Sequence, residues 1–449
     1  MKQSAYNVWI ERSSGAYVYN GISGSLLKID AGNHAALRAY LDRGSMDCPP
    51  SLLEQLVRGR MLIADDVDEL EALRQRRNAS QSDTRHLGLT LITSLGCNFD
   101  CPYCFEAKFP SVMNNPVQAA VLRLVDDQIP KIDQLTVTWF GGEPLVGKRV
   151  INRLSKAFIE RCDQAQIGYD ASIVTNGYLL TEDACQELRD AKVASAQVTI
   201  DGPPEVHDRM RPLVNGLGTF WQIVKNLHHA VKYMSVNVRV NIDTKNVGET
   251  EKLLQILVAE GLAGKLGVNL GHLVGGTDSH AGPSASYKPA CLTNAEFAHA
   301  EVEFNRIADR YGFGTAGLPA PTGAPCTAVR ANELVVGSKG ELYKCWESVG
   351  DAREVIGHID DYENLNSRTG KWLKYNPFEI DECRSCIALP VCMGGCAQHA
   401  MDKIQYHNRC GTFRHTFREQ VHDFVEHAER VGIDGVVTTN QLARRMETR

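Results

Sequence analysis

Nowhere in these 449 residues does an apolar run approach the ~18 residues of a membrane span, so a helical membrane protein is excluded. The first residues, Met1 to Tyr17, lack the basic and apolar regions of a secretory signal, and a cytoplasmic protein is expected. Excess positive charge is missing too. The net charge is −6 and the pI near 6.2, which argues against nucleic acid as the main partner, and no membrane partner is expected either. No internal repeat or low-complexity tract interrupts the chain. A hydrophobic content of 43% with 23% charge is that of an ordinary globular protein, long enough for two or three domains.

Cysteine, by contrast, is plentiful. Fourteen cysteines in a chain without an export signal mean metal rather than disulfides. Cys97, Cys101 and Cys104 form the run Cys-Asn-Phe-Asp-Cys-Pro-Tyr-Cys. That spacing offers three thiolates to a cubane cluster of four irons, leaving one iron open for a small molecule. Leu87 to Thr93 is apolar and β-branched and reads as a strand, broken by Ser94, Gly96 and Asn98. The triplet therefore sits on a loop at a strand's C-terminal end, where α/β barrels place their chemistry. A zinc knuckle would need a second cysteine pair or histidines close by, and the next cysteine, Cys162, is far off.

The triplet, with Tyr103 just before its third cysteine, resembles the signature of the radical S-adenosylmethionine (SAM) enzymes. In that family the methionine amino and carboxylate groups chelate the open iron, and reductive cleavage releases a 5′-deoxyadenosyl radical. Three further stretches extend the resemblance in the right order. Leu135 to Phe140 reads as a strand ending in Gly141-Gly142-Glu143-Pro144, similar to the motif that holds the methionine amino group. Thr175-Asn176-Gly177 and Thr199-Ile200-Asp201-Gly202 each end another apolar strand. The last continues into His207-Asp208-Arg209-Met210-Arg211, and by resemblance Thr199 and Arg211 contact the ribose and the methionine carboxylate. Alone, each stretch is a strand-end turn or a solvated helix start.

The organisation agrees. Strand-like runs near 87–93, 135–140, 171–175, 196–200, 236–242 and 266–270 alternate with helical patterns near 116–129, 148–165, 181–191, 219–233 and 248–260. Alternation of this kind gives a parallel sheet with right-handed crossovers. The expected fold class is α/β, a partial (β/α)6 TIM-like barrel over residues 86–315, which is also the core of the resembled family.

Residues 316–449 hold a second cysteine system: Cys326, then Gly340 to Cys345, then Cys383, Cys386, Cys392 and Cys396, and finally Cys410. The pattern resembles the SPASM extension of radical SAM enzymes, which carries two auxiliary clusters. The resemblance implies Cys326, Cys345 and Cys396 at the first and Cys383, Cys386, Cys392 and Cys410 at the second. Three 4Fe–4S clusters and SAM are then the expected cofactors. The first auxiliary set is one ligand short, since Asn332 and its neighbours include no cysteine. Two zinc sites are the alternative. Cys48, Cys162, Cys185 and Cys291 are left over as small buried residues, with Cys291 a candidate for the missing ligand.

In residues 1–85, strand-like runs at Val8–Ile10, Tyr17–Tyr19 and Leu26–Ile29 precede helical patterns near 33–43, 50–58 and 66–77, and the charged stretch Arg74 to Arg85 reads as a linker. The order resembles a winged-helix module that holds a leader sequence by strand addition. A packing extension of the barrel reads equally well.

The SPASM resemblance implies hydrogen abstraction from a ribosomally made precursor peptide, giving a thioether or carbon–carbon crosslink, with a flavodoxin or ferredoxin as electron donor. Oxidation of Cys or Ser to formylglycine is the alternative. In sulfatase-maturing relatives an aspartate follows the cysteine of the Gly-x4-Cys element. Here Trp346 stands there, and Glu347, one residue on, is the candidate catalytic base. A non-catalytic iron–sulfur electron carrier and a zinc-stabilised peptide-binding protein are the readings from other classes.

Overall fold

The computed structural model describes every residue except 44–46, 276–289, 315–316, 404, 432–436 and 439–449. The expected domain boundary at 315/316 and the far C-terminus lie outside the described residues. No helix among the described residues is long and apolar enough to cross a membrane.

The chain opens with β1 (Lys2–Gln3), β2 (Asn7–Arg12), β3 (Gly15–Asn20), β4 (Ser25–Asp30), α1 (Ala31–Arg43), α2 (Pro50–Arg58), β5 (Leu62–Ile63) and α3 (Glu69–Ser82). β2, β3 and β4 form an antiparallel meander, and Val437–Thr438 pairs with β4 opposite Leu26 and Ser25. Side chains alternate between faces with a period of two. Val18, Leu27 and Ile29 pack on Leu37, Leu52 and Leu56 of α1 and α2. On the other face, Val8, Tyr17 and Tyr19 pack against Phe417, Val421 and Val425.

The stretch expected to be a linker, residues 74–85, is instead helical as far as Ser82. Its charges suggested a solvated tether, but Arg77 is 3% exposed and donates to the carbonyl of Tyr375. Gln81 donates to the carbonyls of Val329 (2.9 Å) and Leu373 (3.0 Å). Carbonyls of the C-terminal third thus satisfy polar groups that would otherwise hold this helix in water.

Six parallel strands follow as the spacing predicts: β6 (His86–Ser94), β7 (Gln134–Gly141), β8 (Gly168–Thr175), β9 (Val193–Thr199), β10 (Ser235–Ile242) and β11 (Gly267–His272). Their spatial order is their chain order, an open partial barrel. The covering helices are α4 (Asn115–Gln128), α5 (Lys148–Ala165), α6 (Glu182–Asp190), α7 (Pro204–Met210), α8 (Phe220–Ala230), α9 (Thr250–Ala259) and α10 (Asn294–Arg310). In α5, Val150, Ile151, Leu154, Phe158 and Cys162 recur at helical spacing and are all buried. Phe158 stacks on Trp139 of β7 at a centroid distance of 6.5 Å.

The sheet does not stop at six strands. β12 (Glu333–Val336) pairs parallel with β6, from Glu333 opposite Gly88 to Val336 opposite Leu91. β13 (Glu341–Tyr343) and β14 (Gly357–His358) then add antiparallel, making nine strands. Short helices α11 (Arg368–Leu373), α12 (Asp381–Arg384), α13 (Leu389–Cys392) and α14 (Ala397–Met401) follow, with Cys383 in α12 and Cys392 in α13, and Cys386 and Cys396 in the turns between helices; α15 (Phe413–Val431) packs along α10 and the N-terminal sheet.

Candidate active site

The loops that follow the C-terminal ends of β6 to β10 build one polar centre. Cys97, Cys101 and Cys104 lie on the loop after β6, where the Phe99 N–H donates to Cys97 Sγ at 3.4 Å. Asn176 reaches over from the end of β8 and donates to Asn98 Oδ1 at 2.8 Å, with Cys97 Sγ at 3.8 Å. The sequence after β7 is pressed against this loop. A Cβ at Gly141, where φ is +134°, would lie 2.2 Å from the Ser94 carbonyl oxygen, and one at Gly142 would lie 2.8 Å from that of Leu95. Only glycine fits at either position. The N–H groups of Gly142 and Glu143 donate to Ser94 O (3.0 Å) and Gly96 O (3.2 Å).

Glu143 is fully buried. Its carboxylate accepts from Thr175 Oγ1 (2.7 Å), the Asn176 N–H (2.7 Å) and the Leu145 N–H (3.0 Å). Burial pushes its carboxyl upward, making it a weaker acid, and those three donors oppose the shift. Glu143 therefore clamps the end of β8 to the loop after β7.

A second network spans β9, β10 and the cysteine loop. Tyr103 donates to Asp201, and Arg211 donates to Tyr103. Asn241 bonds to Asp201 through its N–H (3.1 Å) and to the Tyr103 oxygen through its amide (3.3 Å). Burial pushes the Asp201 carboxyl upward, opposed by Arg211 with Nη1 3.9 Å away and by Tyr103. Burial also opposes the Arg211 charge, but Tyr103, Cys101 and Asp201 outweigh it and hold the guanidinium protonated. Arg211 lies against the rings of Phe99 and Tyr103, at 5.6 and 6.0 Å. Thr199, buried, ends β9 beside this network.

His207 fixes the geometry from behind. Its Nδ1 accepts the Asp201 N–H at 3.2 Å, which assigns the ring proton to Nε2. Nε2 then donates to Thr219 Oγ1 (3.0 Å), whose hydroxyl donates to the Arg211 carbonyl (2.8 Å). Complete burial, with Arg211 nearby, drives the imidazole well below its ordinary value, so it stays neutral.

The donor chemistry fits an iron–sulfur cluster and an amino-acid-bearing cofactor. Burial pushes the Cys97 thiol up to about 11 and Cys104 up to about 12, so metal binding would have to displace their protons. Arg211 Nε and Asn98 Nδ2 are buried donors without a partner, groups that a carboxylate-bearing ligand satisfies. Zinc–sulfur bonds of about 2.3 Å would draw ligand sulfurs to within about 4 Å of one another. Among the described residues, the one such trio within 4.8 Å is on His422, Asp423 and Glu426, and no three cysteines meet that limit.

The seven C-terminal cysteines divide by electrostatic neighbourhood. The Cys345 thiol is raised by burial, then by Glu347, Cys396 and Cys326. Cys383 is raised by burial, then by Cys392, Cys410 and Cys386. Glu347 lies in the turn Trp346–Ser348, half-buried, with Oε2 buried and without a partner. Trp346 stacks on Phe140 of β7 (5.6 Å, 14°) and remains 43% exposed. Asn332 donates to the carbonyls of Thr84 (3.1 Å) and His86 (3.2 Å).

Several site residues escaped sequence reasoning. Asn241 lies near the end of β10 and Asn246 in the loop that follows, where it bridges the carbonyls of Asp201 and Asn241 at 2.8 and 2.9 Å. Two asparagines at and just past the end of an apolar strand were the available signal. Glu106, 4% exposed, has its carboxyl pushed up to about 8 by burial. Arg239 on β10 is lowered by burial and supported by Glu347 across the mouth.

A family model described as "Radical SAM superfamily" matches residues 91–257. The chain is 23% identical over 238 residues to the radical SAM cyclopropyl synthase TigE of Paramaledivibacter caminithermalis, covering 46% of this chain and about half (48%) of that relative. It is 23% identical over 327 residues to a cysteine-type anaerobic sulfatase-maturating enzyme of Clostridium perfringens, covering 68% of this chain and 86% of that one. Among solved structures, anSMEcpe with bound AdoMet and Cp18Cys peptide superposes with a TM-score of 0.58 at 18% identity, over 76% of this chain and 99% of that one. Streptococcus suis SuiB bound to precursor peptide SuiA gives 0.51 at 14%, over 92% and 99%. Such superpositions speak for the fold, a radical SAM partial barrel. With the domain match added, residues 91–257 form a radical SAM domain.

Proposed function

We propose that this enzyme is a peptide maturase with two auxiliary clusters, and that it forms a thioether or carbon–carbon crosslink in a ribosomally made precursor. Cys97, Cys101 and Cys104 would hold the cluster that binds SAM. Bound there, the pair supplies a one-electron cleavage and a 5′-deoxyadenosyl radical. The chain's residues orient and shield. Glu143 locks the two loops that face the methionine amine, Arg211 offers its free Nε to the carboxylate, and the His207–Thr219 relay keeps the Arg211 backbone in place. Thr175, Asn176, Thr199 and Asp201 complete the wall, with Tyr103 closing it from the cysteine loop.

The observation that carries the crosslinking reading is the ligand count at the first auxiliary site. Cys326, Cys345 and Cys396 neighbour one another, and Asn332 spends its amide on backbone carbonyls instead. A site one ligand short has room for a substrate thiolate. The N-terminal sheet would hold the leader by strand addition, since β2 ends that sheet with no further strand beside it among the described residues. SuiB, solved with its precursor peptide, supports a peptide substrate. Formylglycine formation is the second reading, favoured by the bare Glu347 Oε2, which is placed to accept a proton.

The test is anaerobic reconstitution with peptides encoded beside this gene, followed by tandem mass spectrometry. A crosslink appears as loss of a hydrogen pair without aldehyde reactivity. Deoxyadenosine with no altered peptide would count against the reading. Replacing Cys97, Cys101 and Cys104 by alanine is expected to abolish deoxyadenosine release and to remove about four of about twelve irons.

A further inference from the structure

The three most exposed large apolar side chains among the described residues fall within eight positions: Val214 (69%), Leu217 (61%) and Trp221 (56%). They are displayed on ordered backbone. Leu213 N–H donates to Leu217 O (2.9 Å), Gly216 N–H to Leu213 O (2.8 Å), and Leu217 N–H to the Asn215 side chain (3.1 Å). Gly216, at φ +81°, supplies the left-handed position that closes this turn. The hydroxyl of Thr219 and the carboxylate of Asp208 anchor the start of α8, the latter accepting from the N–H groups of Thr219 and Phe220.

This turn is bonded directly to the cysteine loop. Val214 N–H donates to Asn98 O (3.1 Å), Asp100 N–H to Pro212 O (2.8 Å), and Phe99 bridges Leu213. The apolar patch therefore lies one backbone hydrogen bond from the residue beside Cys97. Cations flank it. Arg209 and Lys225 are exposed and form no ion pair among the described residues, and Lys225 follows Trp221 by four residues on α8, hence on the same face. Nearby acids are engaged, Asp100 with Lys108 at 3.4 Å and Asp208 with the backbone.

We propose that the Val214–Leu217 turn and Trp221 form the docking surface for a small acidic one-electron carrier protein. The inference rests on the radical SAM reading of the cysteine loop, whose cluster needs one electron from outside for each turnover. The carrier gives up that electron and leaves oxidised. Exposed apolar residues rimmed by unpaired cations fit such a protein, on a chain that is acidic overall with a net charge of −6. A rigid turn also docks without an ordering cost.

The experiment uses the full-length reconstituted enzyme, Val214→Glu/Leu217→Glu and, separately, Lys225→Glu. Deoxyadenosine release is driven by reduced flavodoxin, by reduced ferredoxin or by dithionite, and carrier binding is measured on the same proteins. The double variant is expected to bind the carrier at least about tenfold more weakly and to lose carrier-driven rate in proportion, with dithionite-driven release unchanged. Unchanged carrier binding, equal losses with all reductants, or weakened precursor-peptide binding with carrier binding intact would each overturn the proposal. Native enzyme inert even with dithionite would instead strike the reading of the cysteine loop, while the binding data still decide the surface.

Discussion

Single side chains here do opposing jobs, and Glu143 is the clearest case. It accepts three hydrogen bonds and donates none. Glu143→Gln would turn one acceptor into a donor facing an N–H or hydroxyl, at a cost of about 1–3 kcal/mol. The expected outcome is a lower melting temperature together with near-complete loss of deoxyadenosine release. His207 gives a pH signature. Its folded value lies well below the 6.5 of the free side chain, so below pH 6.5 the unfolded chain takes up a proton that the folded one does not. Stability contributed by neutral His207 is thus present above pH 6.5 and lost as pH falls, at about 1.4 kcal/mol per pH unit. Denaturation curves for His207→Gln should show an acid limb shallower by that amount. The cysteines, Glu143 and Arg211 were legible because their spacing encodes chemistry. Asn241 and Asn246 were not, because a lone asparagine at a strand end reads as a turn former until the fold brings Asp201 beside it.

At the scale of elements, the six barrel strands could be read from alternating periodicity. The extra strand β12 could not, because its parallel partner β6 lies about 245 residues earlier and local pattern carries no pairing information. The helical nature of residues 74–82 was hidden for a related reason: Arg77 and Gln81 look like solvent-facing residues, yet beyond their contact with each other they donate to distant carbonyls. Gln81→Ala strips the amide donor from Val329 O and Leu373 O, and a loss of about 1–3 kcal/mol is expected in chemical denaturation. Val329 lies three residues from Cys326, so iron content should fall in the same variant if that cysteine holds a cluster.

Across the whole molecule, the two chain ends share a core. Phe417 of α15 is 2% exposed and meets Tyr19 of β3 edge-on at 5.9 Å. Phe417→Ala should cost about 3–5 kcal/mol. Faster amide hydrogen exchange throughout β2 to β4, with the barrel strands unchanged, would be its mark. The pairing of β12 with β6 reaches further still. The loop bearing Cys97 leaves the end of β6, and Cys345 comes after β13, two strands away in the same sheet. Strands step at about 4.8 Å, so a continuous lattice of backbone bonds sets the gap between the two cysteine sites. Electron tunnelling decays exponentially with separation. If both sites hold clusters, a gap ruled by a sheet rather than by a hinge would keep the hop between them insensitive to surface motion, so its rate should change little when the outer loops are loosened by mutation or mild denaturant.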